Sequence, residues 1–158
     1  MIPRVLKRLT ALGAALLVLV FTGNAAAAGL TRAEARLLRD LNRVRAAHGL
    51  VPLRYDPRLQ RAARAHSRDM LISQLFQHGS FGARMLQFDV RGTVTGENLA
   101  WGNGPFGTAS GIVRAWLASP EHRANLLRPG YTRIGIGDLV GAFLGYNAAH
   151  VVTADFAG

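Results

Sequence analysis

The chain has 158 residues, no cysteine and a formal net charge of +10, because 19 lysines and arginines oppose 9 acidic residues. Without cysteine, neither a disulfide nor a cysteine-linked lipid anchor forms, so burial and hydrogen bonding must hold the fold together. The positive charge favours contact with anionic lipid head groups or cell-wall polymers, although genomic base composition alone also enriches arginine. Nucleic acid is not an expected partner, because aromatic and basic residues are not interleaved.

Residues 1–28 have the pattern of a secretory signal peptide. Three basic residues precede an apolar run over residues 9–21, and the small residues of "NAAAAG" predict cleavage after Ala28. The apolar run is shorter than the roughly 20 residues of a membrane span, and an uncleaved anchor is the alternative. We predict a secreted or periplasmic protein with one domain over residues 29–158 and no stable transmembrane span after cleavage.

Two helices are predicted at the start of this domain. Thr31 and Glu34 have the spacing of a capping box, apolar residues then repeat at helical spacing, and Gly49 predicts the end of the first helix. Asp56 followed by Pro57 predicts the start of the second helix. The apolar face of that helix consists of Leu59, Ala62, Ala63, His66 and Met70.

The rest of the chain predicts an irregular stretch, two shorter helices and two strands. Helical periodicity fades over residues 77–105 and glycine becomes frequent, which is typical of a long functional loop. Helices are predicted from about residue 107 to 117 and from 119 to about 128. The runs "TRIGIGDLV" and "AHVVTADFA" alternate as strands do, and helices before strands favour an α+β fold. The last strand places His150 on one face with Val152, Ala154 and Phe156.

The stretch "GENLAWGNG" sets Glu97 between a glycine and an asparagine, in a chain with few carboxylates. Four histidines are candidates to meet Glu97 in the fold, namely His66, His78, His122 and His150. The positive end of the helix that begins at Ser119 disfavours an imidazolium at His122. A neutral imidazole is what a metal ligand or a general base requires.

Each of these residues also has a purely structural interpretation. Glu97 would bond nearby backbone N–H groups, His78 would bond a loop carbonyl, and His122 would hold its own helix start. His66 would be a satisfied, half-buried core histidine, and His150 would pack within its strand. No H-E-x-x-H helix or paired C-x-x-C marks a metal site, and no G-x-S-x-G elbow indicates an α/β-hydrolase. The residues alone therefore predict only a His/Glu cleft.

Several stretches, in this order along the chain, resemble the CAP superfamily, also called the SCP domain, and above all its small bacterial secreted branch. Together they cover roughly residues 41–157. They are "LNRVRAAHGLVPLRYDPRLQRAARAHSRDM", "QHGSF", "GENLAWG", "AWLASPEHRANLL", "RIGIGD" and "VVTADFA". The resemblance implies a three-layer α-β-α sandwich with a central, mainly antiparallel sheet.

The resemblance also implies a surface cleft where two histidines and two acids meet. His78 matches the first family histidine, and Glu97 matches the acid of the G-E-N motif. The resemblance thus implies that Glu97 points into this cleft, toward His78 and His122. The position of the second acid holds Ser119 here, with Glu121 and His122 shortly after it. The final family histidine matches His150 only with an offset of one residue, and such an offset turns a strand side chain to the other face of the sheet.

Three functions follow as hypotheses. The resemblance implies a secreted binding module for lipid, sterol-like or cell-wall ligands on anionic surfaces. The alternative is a divalent-metal-dependent hydrolase of the cell envelope, in which His78 and His122 hold Zn²⁺ while Glu97 orients water or acts as the base. In the third, the polar cluster is a buried network that only fixes the loop.

Overall fold

The computed structural model describes residues 29–158, and the predicted signal peptide at residues 1–28 lies outside the described residues. No helix among residues 29–158 is both long enough and apolar enough to cross a membrane. The elements follow in the order α1 (Arg32–Ala47), β1 (Arg54–Tyr55), α2 (Pro57–Ser73), α3 (Phe81–Gln87), β2 (Thr95–Gly102), a 3₁₀ turn (Gly104–Phe106), α4 (Ala109–Ala118), α5 (Pro120–Leu126), β3 (Arg133–Phe143) and β4 (Tyr146–Ala157).

The starts of α1 and α2 are confirmed, and side-chain caps explain both. The Thr31 hydroxyl accepts a hydrogen bond from the Glu34 N–H at 3.2 Å, and the Glu34 carboxylate accepts one from the Thr31 N–H at 2.7 Å. The Asp56 carboxylate accepts a hydrogen bond from the Arg58 N–H at 2.8 Å. These caps satisfy backbone donors that the first turn of a helix leaves free. The whole predicted apolar face of α2 is buried.

The sheet has the strand order β1–β3–β4–β2, and β1 alone of these strands runs parallel to its neighbour. β3 and β4 form a hairpin whose turn residues, Leu144 and Gly145, have φ values of 46° and 90°. Two successive positive φ angles are typical of the type I′ turn. β2 pairs with the other side of β4, where Glu97 lies opposite Asp155. Successive residues of β4 point to opposite faces of the sheet.

Helices cover both faces of this sheet. Val152 and Phe156 of β4 pack in the larger core cluster with apolar residues of α1, α4 and α5. Val151 of β4 and Leu99 of β2 lie on the opposite face and pack against Met70 of α2. The predicted α+β fold, a three-layer α-β-α sandwich with a mainly antiparallel sheet, is therefore confirmed.

α2 lies very close to β3 because glycines replace side chains at the contact. A Cβ atom on Gly135 would stand 2.0 Å from the carbonyl carbon of Leu59 and 2.2 Å from the backbone nitrogen of Gln60. At this distance the Gln60 side chain accepts a hydrogen bond from the Ile136 N–H at 2.8 Å and donates one to the Ile136 carbonyl. The contact at Gly135 thus sets the distance between α2 and the sheet.

Arg45 joins the end of α1 to the segment between α5 and β3. Its guanidinium is fully buried. It donates hydrogen bonds to the backbone carbonyl oxygens of Val51 at 3.0 Å, Leu126 at 2.8 Å, Arg128 at 3.1 Å and Tyr131 at 2.9 Å. A single side chain therefore satisfies four carbonyl groups that no helix or strand uses at these positions.

The prediction of an irregular stretch over residues 77–105 is wrong in part, since α3 and β2 both lie within it. Gly96, Glu97 and Asn98 have low strand propensity, and the strand forms because it pairs with β4 along its whole length. Glu97 is consequently fixed on a strand rather than carried by a glycine loop.

We expect Gly135→Ala to destabilise the protein by about 3 kcal/mol, the upper end of the cost of overpacking a core. The added methyl group meets backbone atoms of α2, which cannot rotate away as a side chain would. Urea denaturation measures the free energy of unfolding. Gly82→Ala is the control, because no atom lies within 4 Å of its added Cβ. An equal loss in both variants would contradict the close contact between α2 and β3.

Candidate functional site

Glu97 lies at the centre of a polar cluster on the α2 side of the sheet. Glu97 is only 6% exposed. Its position on β2 places its side chain on the same face of the sheet as the side chain of Leu99. A carboxylate buried to this degree is stable only when positive groups pair with it. The surrounding elements must therefore supply partners.

Three partners reach Glu97 from three different elements. His78, in the loop after α2, donates from Nδ1 to Oε1 at 2.7 Å. Arg84 of α3 donates from its guanidinium to Oε2, which makes the strongest pairing available to this carboxylate. His66 of α2 places its Nε2 3.8 Å from the same oxygen. The carboxylate of Glu97 thus holds the 77–87 segment against α2 and β2.

Asp155 lies beside Glu97 as its cross-strand neighbour, and no motif in the sequence marks it as a site residue. The residue is fully buried, and neither carboxyl oxygen has a hydrogen-bond partner among residues 29–158. Burial raises the pKa of this carboxyl well above its usual range, and the negative charge of Glu97 raises the pKa further, while Arg84 lowers it. Burial thus favours the neutral form of the Asp155 carboxyl, whereas Glu97 is paired with His78 and Arg84. The only signal in the sequence is an acid within the apolar run "VVTADFA".

His66 and His122 are both biased toward the neutral form. Burial lowers the pKa of His66, whose Nε2 also lies 2.9 Å from the Gln77 carbonyl oxygen. Burial lowers the pKa of His122 as well, the positive charge of the nearby His78 lowers it further, and Glu121 raises it. Burial and the charge of His78 thus both favour the neutral imidazole of His122.

Asparagines hold β2 and α5 in register beneath the cleft. Asn98 is fully buried and donates to the His122 carbonyl at 2.9 Å. Asn125 of α5 donates to the Glu97 carbonyl at 3.1 Å and to the Asn98 side chain at 3.0 Å. These bonds fix α5, and with it His122, relative to the strand that carries Glu97.

The other predicted site residues lie elsewhere. The structure places His150 on the opposite face of the sheet, where its Nδ1 lies 2.7 Å from Oδ1 of Asp138. Ser119 joins α4 to α5 and caps α5 without a side-chain hydrogen bond. Glu121 is exposed on α5 and acts on His122 through its charge. The structure therefore joins His78 to Glu97 and adds His66, Arg84 and Asp155 around Glu97, while the backbone of His122 is tied to β2 through Asn98.

A cavity of about 420 Å³ opens beside this cluster, next to α2 and α3. His66, Arg84 and Ser80 are among the polar residues that line it. Among residues 29–158, no group of three or more His, Cys, Asp or Glu side chains is arranged to hold a metal ion. Any metal at the cleft would therefore depend on two imidazole ligands and on water.

We expect Asp155→Asn to change how stability depends on pH. A carboxyl whose pKa is raised on folding contributes stability that is fully present below its unfolded pKa of about 3.9 and is lost as pH rises through the folded pKa. The amide does not ionise, so the variant should gain stability relative to the original protein as pH rises above about 4.

Chemical denaturation across the pH range measures this difference in unfolding free energy. Asp69→Asn, a change of the same kind at an exposed position on α2, should leave the difference flat. A flat difference for Asp155→Asn as well would show that Asp155 ionises freely in the folded protein.

Comparisons with known proteins agree with this fold. The model of the CAP family, described as the cysteine-rich secretory protein family, matches residues 38–156. The Bacillus subtilis protein YkwD is 35% identical over 121 residues, which are 73% of this chain and 46% of YkwD. The membrane protein YlbC of the same organism is 34% identical over 114 residues, 68% of this chain and 32% of YlbC. The chain thus spans less than half the length of these relatives.

Solved structures give the same result. An extracellular protein containing an SCP domain from Bacillus anthracis superposes with a TM-score of 0.67 at 27% identity, over 78% of this chain and 39% of that one. An outer surface protein of Borrelia burgdorferi has a TM-score of 0.63 at 24% identity, over 77% and 90%, and this likeness shows the fold alone. The resemblance seen in the sequence is confirmed: the chain belongs to the CAP family of cysteine-rich secretory proteins, although it contains no cysteine.

Proposed function

We propose that this chain is an extracellular or envelope binding domain that takes lipid at an apolar groove. One observation carries the proposal: a groove of about 250 Å³ between the edge strand β2 and α4 has a mainly apolar lining. Pockets with apolar and aromatic walls are the usual sites for small apolar ligands. The aromatic residues of the lining are Trp101, Phe106 and Tyr146.

Exposed apolar side chains surround this groove and support the proposal. Phe106 is 75% exposed and Tyr146 is 45% exposed. The rings of Trp101 and Tyr146 lie 5.5 Å apart, so β2 and the β3–β4 turn form one aromatic surface. Aromatic rings with a polar edge are favoured where lipid meets water.

The same end of the molecule includes the end of α2. The Gln74 side chain accepts a hydrogen bond from the Leu144 N–H at 2.9 Å and donates one to the Ala142 carbonyl at 2.9 Å. Leu75 and Phe76 follow directly and are 53% and 43% exposed. Isolated exposed apolar residues need no explanation, but a group of them at one end marks an interaction surface.

The charge of the domain favours anionic lipid. Residues 29–158 contain 16 arginines and no lysine, against 9 acidic residues. A basic surface gains roughly 1 kcal/mol for each cation near an anionic membrane. The similar Bacillus anthracis protein, which is described as extracellular, supports an exported location, either secreted or periplasmic.

Intrinsic fluorescence tests the proposal, because the chain has only two tryptophans. Trp101 lines the groove, whereas Trp116 is 1% exposed and donates its indole N–H to the Leu99 carbonyl at 2.8 Å. Phosphatidylglycerol vesicles should shift the emission to the blue, and Trp101→Phe should abolish the shift while Trp116→Phe keeps it. Phosphatidylcholine vesicles should give a smaller shift.

Phe106→Ser should weaken vesicle binding by about tenfold or more, since burying a phenylalanine contributes roughly 1.5–3 kcal/mol. Leu86→Ser is the matched control, because Leu86 is 81% exposed on α3 and does not line the groove. His78→Ala should also bind as before, since the groove and not the polar cluster carries the affinity. Equal losses in Phe106→Ser and Leu86→Ser, or no shift from Trp101, would contradict a lipid-binding groove.

The second proposed function is metal-dependent hydrolysis in the cell envelope, and the bond between His78 and Glu97 favours it. A carboxylate on Nδ1 orients an imidazole so that Nε2 is free for a metal, a common arrangement in zinc sites. His122 would be the second ligand, and a bound Zn²⁺ would lower the pKa of its water and supply a nucleophile. Both oxygens of Glu97 already accept hydrogen bonds, so Glu97 would position His78 rather than act as the base.

Calorimetric titration with ZnCl₂ tests this second function without any assay of activity. We expect one saturable site that the double change His78→Ala/His122→Ala removes. His48→Ala should retain the site, because His48 lies at the end of α1 with its Nδ1 2.8 Å from the Val44 carbonyl oxygen. Binding that survives the double change would place any zinc elsewhere and reject this cleft as a metal site.

A further inference from the structure

A second polar cavity lies on the other face of the sheet, away from Glu97. It measures about 280 Å³ and is enclosed by the first turns of α1, the start of α4, β3 and β4. None of its residues belongs to the His78–Glu97 cluster or to the apolar groove. Its polar side chains are Arg32, Arg36, Thr108, Asp138 and His150.

His150 is held rigidly in the wall of this cavity. Its Nδ1 lies 2.7 Å from Oδ1 of Asp138, whose side chain is only 5% exposed. The imidazole also lies close against Gly107, where an added Cβ atom would stand 2.7 Å from its Cδ2. Within residues 29–158 its Nε2 has no hydrogen-bond partner, and the ring is 30% exposed in the cavity wall. The ring thus presents a fixed nitrogen to whatever enters.

The charges around the cavity favour an anion. Arg32 and Arg36 stand one turn apart on α1, and neither forms an ion pair with another residue in the 29–158 range. The two acids of the neighbouring elements are already committed: Asp138 to His150, and Glu34 to Arg64 at 2.8 Å. The positive charges of Arg32 and Arg36 therefore have no ion-pair partner among residues 29–158, and both residues line the same cavity as His150. A metal cation is disfavoured, because the single carboxylate in the wall faces His150.

We propose that this cavity binds a phosphate group. Arg32 and Arg36 contact the phosphate oxygens through their planar forks, which match phosphate geometry better than a lysine would. When its ring is protonated, His150 donates a third hydrogen bond from Nε2 to the phosphate while Asp138 accepts the hydrogen bond from Nδ1. The cavity is small, so it admits the phosphate group and little of what the group is attached to. The assignment does not depend on the apolar groove.

Inorganic phosphate is the first probe, added to the purified chain at neutral pH while NMR follows the histidine ring signals. We expect saturable changes at His150 and none that saturate at His48, which lies far along α1. Arg36→Gln should raise the dissociation constant at least about tenfold, because a charge-assisted hydrogen bond of roughly 1.5–3 kcal/mol is lost. Arg39→Gln removes the same charge from the same helix outside the cavity, and it should change the constant little.

Vesicles that contain phosphatidic acid distinguish a lipid phosphate from a free one. If Arg36→Gln weakens binding to these vesicles while Trp101→Phe does not, the site takes the head-group phosphate of a lipid. If only inorganic phosphate responds to Arg36→Gln, the natural source is a soluble phosphate compound. An unresponsive His150, or equal effects of Arg36→Gln and Arg39→Gln on both probes, would overturn the proposal.

Discussion

The burial of one carboxylate, that of Glu97, is the constraint on which the candidate site depends. A negative charge in that position is tolerated only with direct pairing, so the chain must bring Arg84 and His78 to β2. The contacts of Arg84 and His78 with Glu97 fix the path of residues 77–87, and these residues form part of the wall of the adjacent cavity. Asp155 has no hydrogen-bond partner among residues 29–158, and burial favours its neutral form. The cluster therefore combines a paired carboxylate with an unpaired, buried carboxyl group.

β4 connects the two polar regions of the molecule while keeping them apart. Its odd positions bring Asp155 beside Glu97, and its even positions bring His150 beside Asp138. The two polar regions lie on opposite faces of a single sheet. Buried apolar side chains cover the rest of both faces, so the two regions are separated from each other. One strand thus contributes a carboxyl group, that of Asp155, to one polar region and an imidazole, that of His150, to the other.

The sequence predicted what local patterns determine and missed what distant pairing determines. The caps at Thr31 and Asp56 and the apolar face of α2 follow from neighbouring residues, and the resemblance led to His78, Glu97 and His122. β2 was missed because pairing with β4, not propensity, makes it a strand. Nothing in the sequence distinguishes Arg84 from an ordinary surface arginine, because only the folded chain brings its guanidinium to Glu97. The alternation along β4 was predicted correctly, but only the register with β2 shows that His150 faces away from Glu97.

Arg45 has a consequence for how this protein is made. Three of its four hydrogen bonds to carbonyl groups connect residues more than 80 positions apart, the kind of link that small exported domains often form covalently. Hydrogen bonds need no oxidant, no thiol isomerase and no particular redox potential. These contacts of Arg45 are therefore equally strong in a reducing cytoplasm and in an oxidising envelope. The folding of this domain is independent of the enzymes that oxidise thiols in either compartment.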